Sequence, residues 1–200
     1  MADTPMENKD DSAAAYERNA SAFLANRDRS NIGYKVVRDW AAALAPASDI
    51  LELGCGGGYP VTAELERAGL TLWAIDGSPS LMSVFRERFP GAKARCERVQ
   101  ESNFFGRKFD AVIAIGLIFL LPRQDQEALI GRVAGLLPPG GRFLFTAPVE
   151  TGTWRDMNTG LICDSPGFDV YTAYLRSQGF HAITQRVDAG GNNHYDAVKI

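Results

Sequence analysis

Four groups of residues have types and spacings that could do chemistry. The first is the run Glu52-Leu53-Gly54-Cys55-Gly56-Gly57-Gly58. Glycine lets a backbone turn tightly and approach a ligand closely, with its N–H groups free to bind an anion. The second is Asp76-Gly77-Ser78-Pro79. Its aspartate lies roughly twenty residues beyond the glycine run, where a carboxylate can accept both hydroxyls of an adenosine ribose. The third, Glu97-Arg98, is placed to reach an adenine edge, and the fourth, Ile115-Gly116-Leu117-Ile118-Phe119, is mostly apolar and suits a wall beside a transferred group. Each also has a plainer reading, as tight turn, helix cap, surface charge and core respectively. The glycine turn and the spaced acid together favour an adenosine-bearing ligand.

These groups fall where one pattern of elements would put them. Ser12 reads as the cap of a helix reaching about Asn26, and a second helix runs through Val36, Trp40 and Leu44 to Pro46. Short apolar strands follow at Ile50–Leu53, Thr71–Ile75, Ala92–Glu97, Phe109–Ile115 and Arg142–Ala147. Helices alternate with them, at Pro60–Ala68, from the Ser78 cap and Pro79 to Phe89, and from Pro122 to Leu137. Pro148–Gly167 reads as a long irregular loop, the kind that carries function in a compact domain. A helix over Tyr171–Gln178 precedes two strands, His181–Val187 and His194–Ile200, whose link is too short for a parallel crossover. Alternation of this kind predicts an α/β fold, a doubly wound, mainly parallel sheet with its last strand reversed. Ligands then bind beyond the carboxyl ends of the strands, where all four groups lie.

The glycine spacing discriminates among adenosine cofactors. A dinucleotide fingerprint needs GxGxxG, but the third glycine would fall on Tyr59 or Val61. The phosphate-binding GK[ST] is missing as well. Glu52 would repel a pyrophosphate, whereas it suits a ligand carrying an ammonium and a sulfonium. With Phe109-Asp110 and Leu137-Pro-Pro-Gly-Gly141 added, the successive motifs resemble those of class I S-adenosylmethionine (SAM)-dependent methyltransferases, in particular small bacterial enzymes of general type. The resemblance covers about residues 13–200.

That resemblance implies a Rossmann-like seven-stranded sheet of order 3-2-1-4-5-7-6 with strand 7 antiparallel. It implies SAM as cofactor and S-adenosylhomocysteine (SAH) as product. The cofactor set is Tyr16, Glu52, Gly54, Cys55, Gly56, Asp76, Gly77, Ser78, Glu97, Arg98, Ile115 and Gly116. Within it, Gly54 and Gly56 would meet the methionine moiety, Asp76 the ribose, and Glu97 and Arg98 the adenine. Residues 13–45 would form a helical lid, with Tyr16 and Tyr34 near the methionine end, after a disordered tail over residues 1–12. One departure concerns strand three, where many relatives carry an aspartate followed by a small or acidic residue and this chain has Glu97-Arg98.

The sulfonium is already a good leaving group, so alignment and exclusion of water matter most, and a base is needed only for a protonated acceptor. The loops after strands four, five and six are expected to build the acceptor side, from Phe119, then Trp154 and Asp156 in 148–167, then Asn192 and Asn193 at the final turn, with His194 as candidate base. The chain lacks the Asp/Asn-Pro-Pro-Tyr run of nucleic-acid amino methyltransferases, and its net charge of −3 disfavours a nucleic-acid partner. No acid cluster resembles a metal site, so no metal is expected. The longest apolar run, Ala111–Leu121, is too short to span a bilayer. Three scattered cysteines fit a reducing compartment, so a cytoplasmic protein acting on a small, partly hydrophobic metabolite is expected. A SAM-binding regulator or an inactive relative is the competing reading. The sequence leaves the oligomeric state open.

Overall fold

The computed structural model describes residues 11–200. The expected tail lies mainly outside the described residues, but its end is ordered. Asp11 caps helix α1 (Ser12–Arg18), with Oδ1 accepting the Ala13 N–H at 3.2 Å, so Ser12 is the first helical residue and not the cap. The single helix expected here is two. Asn19 leaves helical geometry and donates its side-chain amide to the Ala15 carbonyl, interrupting the chain before α2 (Ala20–Arg27).

Helix α3 (Tyr34–Ala41) follows, then β1 (Asp49–Leu53), α4 (Val61–Arg67), β2 (Thr71–Asp76), α5 (Pro79–Arg88) and β3 (Lys93–Cys96). The second half comprises β4 (Ala111–Ala114), α6 (Arg123–Leu136), β5 (Arg142–Thr146), β6 (Thr151–Arg155), β7 (Ile162–Pro166), α7 (Phe168–Ser177), β8 (Phe180–Val187) and β9 (Asn193–Lys199). Seven strands form one sheet, β3-β2-β1-β4-β5-β9-β8. The pairs among β1 to β5 are parallel, and β9 is antiparallel to both β5 and β8. This is the Rossmann-like order expected, with β8 and β9 as its sixth and seventh strands.

Strand periodicity explains why both faces are covered. Leu51, Leu53, Val112, Ala114, Phe143 and Phe145 point to one face and pack with α6 and α7. Ile50, Ala111, Ile113 and Leu144 point to the other and pack with Val37 and Trp40 of α3 and Leu65 of α4. Such two-sided burial produces the continuous apolar character of these strands. The buried Asp196 ties α3 to the sheet. Its carboxylate accepts from the Trp40 indole N–H at 3.1 Å and from Arg142 at 2.5 Å.

The stretch 148–167 departs from the expectation of an irregular loop. It forms the separate antiparallel hairpin β6–β7, paired from Thr151↔Pro166 to Arg155↔Ile162. Its weak sequence signal has a physical cause. β6 is largely exposed and holds Gly152, while β7 holds Asp164 and ends in Pro166, residues depleted in strands. Gln126 fixes the hairpin to the body. Its Nε2 donates to the Leu121 and Asp164 carbonyls, both at 2.9 Å, and its Oε1 accepts the Tyr171 hydroxyl at 2.6 Å.

Tyr171→Phe keeps the shape of a buried ring but leaves Gln126 Oε1 without that donor. Urea denaturation should show a loss of about 1–3 kcal/mol, the cost of an unsatisfied buried acceptor. A variant as stable as the wild type would remove Gln126 as the anchor of the hairpin.

Candidate functional site

A cleft of about 420 Å³ opens at the carboxyl ends of β1, β2, β4 and β5, a size usual for small-molecule sites. Its floor is the turn after β1, with Gly54 and Gly56 at φ +69° and +55°. A Cβ at Gly56 would lie 3.1 Å from the Phe23 ring, and one at Gly54 3.3 Å from Leu117, so side chains here would narrow the cleft. The turn is held by Asp76, which ends β2. Asp76 Oδ2 accepts the Gly56 N–H and Oδ1 accepts the Ser78 N–H, both at 2.8 Å. Burial raises the Asp76 carboxyl above its ordinary range, while these two N–H bonds pull the other way. Each oxygen keeps a further lone pair on a residue that lines the cleft, enough to accept a vicinal diol.

Ile75, Leu81, Glu97, Arg98, Val99 and Gln100 continue the wall beyond Asp76. Helices α1 and α2 roof it. Glu17 accepts from the Ser78 hydroxyl at 2.5 Å, the Ser80 N–H at 2.9 Å and the Ser80 hydroxyl at 2.6 Å, so α1 is latched to the first turn of α5. Arg98 pairs with the capping Asp11. Arg88 spans α2 and the glycine turn, donating to Asp28 and to the Gly57 carbonyl. Tyr16 meets Phe23 edge-on at 5.1 Å, and the Tyr16 hydroxyl accepts from Asn158 in the turn of the β6–β7 hairpin at 3.4 Å.

The opposite end of the cleft combines Leu117, Phe119 and Leu120 with Arg27, Thr146, Asp188, Asn192 and His194. The β5–β9 register pairs Thr146 with His194, which brings the histidine to the carboxyl end of the sheet. His194 is fully buried, and its Nε2 lies 3.1 Å from Asp188 Oδ2. Burial lowers the His194 pKa below its ordinary value; Asp188 opposes that and Arg27 adds to it. Burial alone would raise Asp188, but bonds from His194, Asn192 and Gly190 hold it below the usual carboxylate range. Arg27 donates to the Ile32 carbonyl at 3.1 Å, and burial lowers its pKa.

Of the residues named from sequence, Tyr16, Gly54, Gly56, Asp76, Gly77, Glu97, Arg98, Ile115, Gly116, Phe119, Asp156, Asn192 and His194 line this one cleft. Five do not. Glu52 lies beneath the glycine turn, where its Oε2 accepts the Thr62 hydroxyl at 2.6 Å, and its oxygens are not presented to an ammonium in the cleft. Cys55 is buried against α5, and Ser78 is buried as the α5 cap, accepting from the Leu81 N–H. Asn193 donates to the Ala147 carbonyl at 3.3 Å. Trp154 packs on the Phe119 ring at 5.4 Å with the ring planes tilted by 47°, backing the wall without forming it, because the hairpin turns it there. Asp156 accepts from the Thr159 N–H and hydroxyl, shaping the hairpin turn. Sequence reasoning missed Arg27, Thr146 and Asp188 as cleft residues. Arg27 has the pattern of an exposed helix cation and Asp188 that of a turn former, and only tertiary pairing brings them together. Among the described residues no group of three or more His, Cys, Asp or Glu side chains is arranged to hold a metal.

Comparison with known proteins agrees with this geometry. A family model described as a methyltransferase domain matches residues 50–141, which hold the glycine turn, Asp76 and the wall after β4. An uncharacterised methyltransferase of Synechocystis sp. is 30% identical over 165 residues, covering 72% of this chain and 77% of that protein. A ubiquinone biosynthesis O-methyltransferase of Xanthomonas axonopodis is 32% identical over 112 residues, and the match spans 53% of this chain and 46% of that protein. Among solved structures, the Burkholderia thailandensis 1,6-didemethyltoxoflavin-N1-methyltransferase, with 1,6-didemethyltoxoflavin and SAH bound, superposes with a TM-score of 0.74 at 17% identity. That superposition covers 99% of this chain and 93% of that one.

Burial pushes the Glu52 carboxyl up to about 8, against the Thr62 hydrogen bond. A raised folded-state pKa contributes stability that is present at low pH and is lost as pH rises towards 8. Each tenfold change in proton affinity between folded and unfolded chain is worth roughly 1.4 kcal/mol. Urea unfolding of the ligand-free protein at pH 5.5 and 8.5 should therefore show a fall of a few kcal/mol. Glu52→Gln should flatten that fall. An unchanged pH slope in the variant would mean that Glu52 is not the group responsible.

Proposed function

The chain belongs to the class I SAM-dependent methyltransferases, and from that premise we propose that it methylates a small, partly hydrophobic metabolite in the cleft described above. The observation that carries this reading is the division of one cleft into two ends. One end offers glycine backbone and the buried Asp76 carboxylate, and the other offers Leu117, Phe119 and Leu120 beside His194. The residues present fit SAM. Asp76 has lone pairs left for a ribose diol, the Gly54–Gly56 floor admits close approach, and Glu97 to Gln100 edge the adenine region. Arg27, which lines the cleft, is the cation suited to the methionine carboxylate.

Bound SAM supplies an activated methyl group on a sulfonium. The chain's own work is to align and to exclude water: α1 and α2 roof the cleft, and the β6–β7 turn closes against Tyr16. His194 is the candidate base. The toxoflavin-type acceptor in the name of the Burkholderia neighbour supports a small-molecule acceptor here. The acidic charge balance argues against a nucleic-acid strand. The free Cys55, Cys96 and Cys163 suit the reducing cytoplasm, and no helix among the described residues is long and apolar enough to cross a membrane.

Calorimetry should detect SAM and SAH binding, and Asp76→Ala should weaken it at least tenfold through loss of charge-assisted bonds worth roughly 1.5–3 kcal/mol each. Unchanged affinity in a folded variant would remove the ribose assignment. If residues 13–34 form a lid, saturating SAH should slow amide exchange there while the strand cores change little. Exchange that ignores SAH would leave these helices as plain packing.

A further inference from the structure

Two buried polar atoms at the acceptor end of the cleft have no hydrogen-bond partner among the described residues, His194 Nδ1 and Thr146 Oγ1. Thr146 and His194 are directly opposite each other on β5 and β9. Side chains of such a pair share one face, with Cβ atoms about 5 Å apart, and both residues line the cleft. Buried polar groups are nearly always satisfied, and an orphaned one costs stability. Two orphans side by side in a binding cleft mark the place of a polar ligand group.

The other side of the imidazole fixes its chemistry. Asp188 is 4% exposed through its side chain and accepts from the Gly190 N–H, the Asn192 N–H and the Asn192 amide as well as facing His194 Nε2. An ionised carboxylate only accepts, so the proton of the neutral imidazole must sit on Nε2, which leaves Nδ1 as a bare acceptor. The charged groups around this ring are Asp188 in the β8–β9 turn, Arg27 from α2, and Arg186 opposite on β8, whose guanidinium lies 3.6 Å from Asp196.

We propose that Asp188 is a positioning residue that presents His194 Nδ1 as a base, and that with Thr146 Oγ1 it selects an acceptor whose reacting atom carries a weakly acidic O–H or N–H. This deepens the methyl-transfer reading and rests on it. The acceptor's proton passes to Nδ1 as its lone pair bonds to the methyl carbon. The carbon–sulfur bond breaks with its electron pair staying on sulfur, and the imidazolium beside Asp188 then returns its proton to solvent. Thr146 Oγ1 holds an adjoining carbonyl or hydroxyl of the acceptor. A thioether or tertiary amine has no proton to give and would leave both orphans unsatisfied once water is displaced.

The base is tested without any acceptor. Nitrogen-15 NMR of histidine-labelled free protein should show His194 protonated at Nε2 near neutral pH, and that tautomer should shift in Asp188→Asn. An Nδ1-protonated ring in the wild type overturns the proposal. The acceptor class is tested with radiolabelled SAM on catechol, 4-hydroxycoumarin and lumazine, set against thioanisole and N,N-dimethylaniline. Transfer should be confined to the first three. Transfer to either of the last two at a matching rate, or to none of the first three by protein that binds SAM, overturns the class.

Asp188→Asn should lower kcat about 100-fold with the KM for SAM unchanged. The residual acid limb of its pH profile should move to lower pH, because Asp188 raises the His194 pKa. Thr146→Val, isosteric and costing no existing bond, should raise the acceptor KM about tenfold with SAM affinity intact. Wild-type rates in both variants overturn the roles of Asp188 and Thr146. Failure of the wild type to bind SAM would instead sink the methyl-transfer reading, and the tautomer measurement would be unaffected by it.

Discussion

The Asp76 carboxylate accepts the Gly56 N–H with one oxygen and the Ser78 N–H with the other. That pair of bonds joins the turn after β1 to the start of α5 across neighbouring strands. It supplements the Gly54 and Cys55 N–H bonds to the Ile75 carbonyl and fixes the Gly56 N–H, in a turn whose glycines carry no side chain to anchor them. The chain of contacts continues outward. Ser78 caps α5 and donates to Glu17, so the same residues that shape the floor also hold the roof helix α1. Desolvation of the carboxylate opposes this arrangement, and the two backbone donors offset part of that cost.

Competition between burial and pairing recurs along the cleft with different outcomes. Glu52, with a single hydroxyl donor, is pushed far up, whereas Asp188, with several donors, stays ionised under its own desolvation. Arg27 stands between them and feels both. A neutral acid beneath one end and a paired, charged acid lining the other give the two ends different electrostatic character. This follows from depth of burial together with hydrogen-bond supply and not from residue type, since both are carboxylates.

The parallel core was legible because both faces of its strands are buried, so Leu51–Leu53 and Val112–Ala114 read as apolar runs bounded by glycine, proline and aspartate. The cofactor end was legible because it is made of backbone and of strand-terminal residues, whose positions follow from strand order. The β6–β7 hairpin was hidden. Its β6 is largely exposed and its buried β7 carries Asp164 and Pro166, with Gly152 opposite, so its strands are specified by contacts with α6 and α7 that no local pattern records. Glu52 and Trp154 were named for their chemistry, but packing decides exposure, and it turned one beneath the floor and the other behind Phe119. Arg27 and Asp188 escaped notice for the converse reason, being ordinary surface types drawn inward by pairing.

The β8–β9 turn has a consequence for how such sequences can diverge. Asp188 organises the turn and orients His194 with the same two oxygens, and Gly190 lies so close to Ile32 that a Cβ there would come within 2.9 Å of it. Drift in this turn is therefore tightly constrained: a lengthened or substituted version would disturb the imidazole and the segment before α3 together. At the tip of the β6–β7 hairpin Met157 carries no such double duty, being 98% exposed at the mouth of the cleft. Descendants of this chain would change what they accept most readily by rewriting that tip, while the turn that holds the histidine stays as it is.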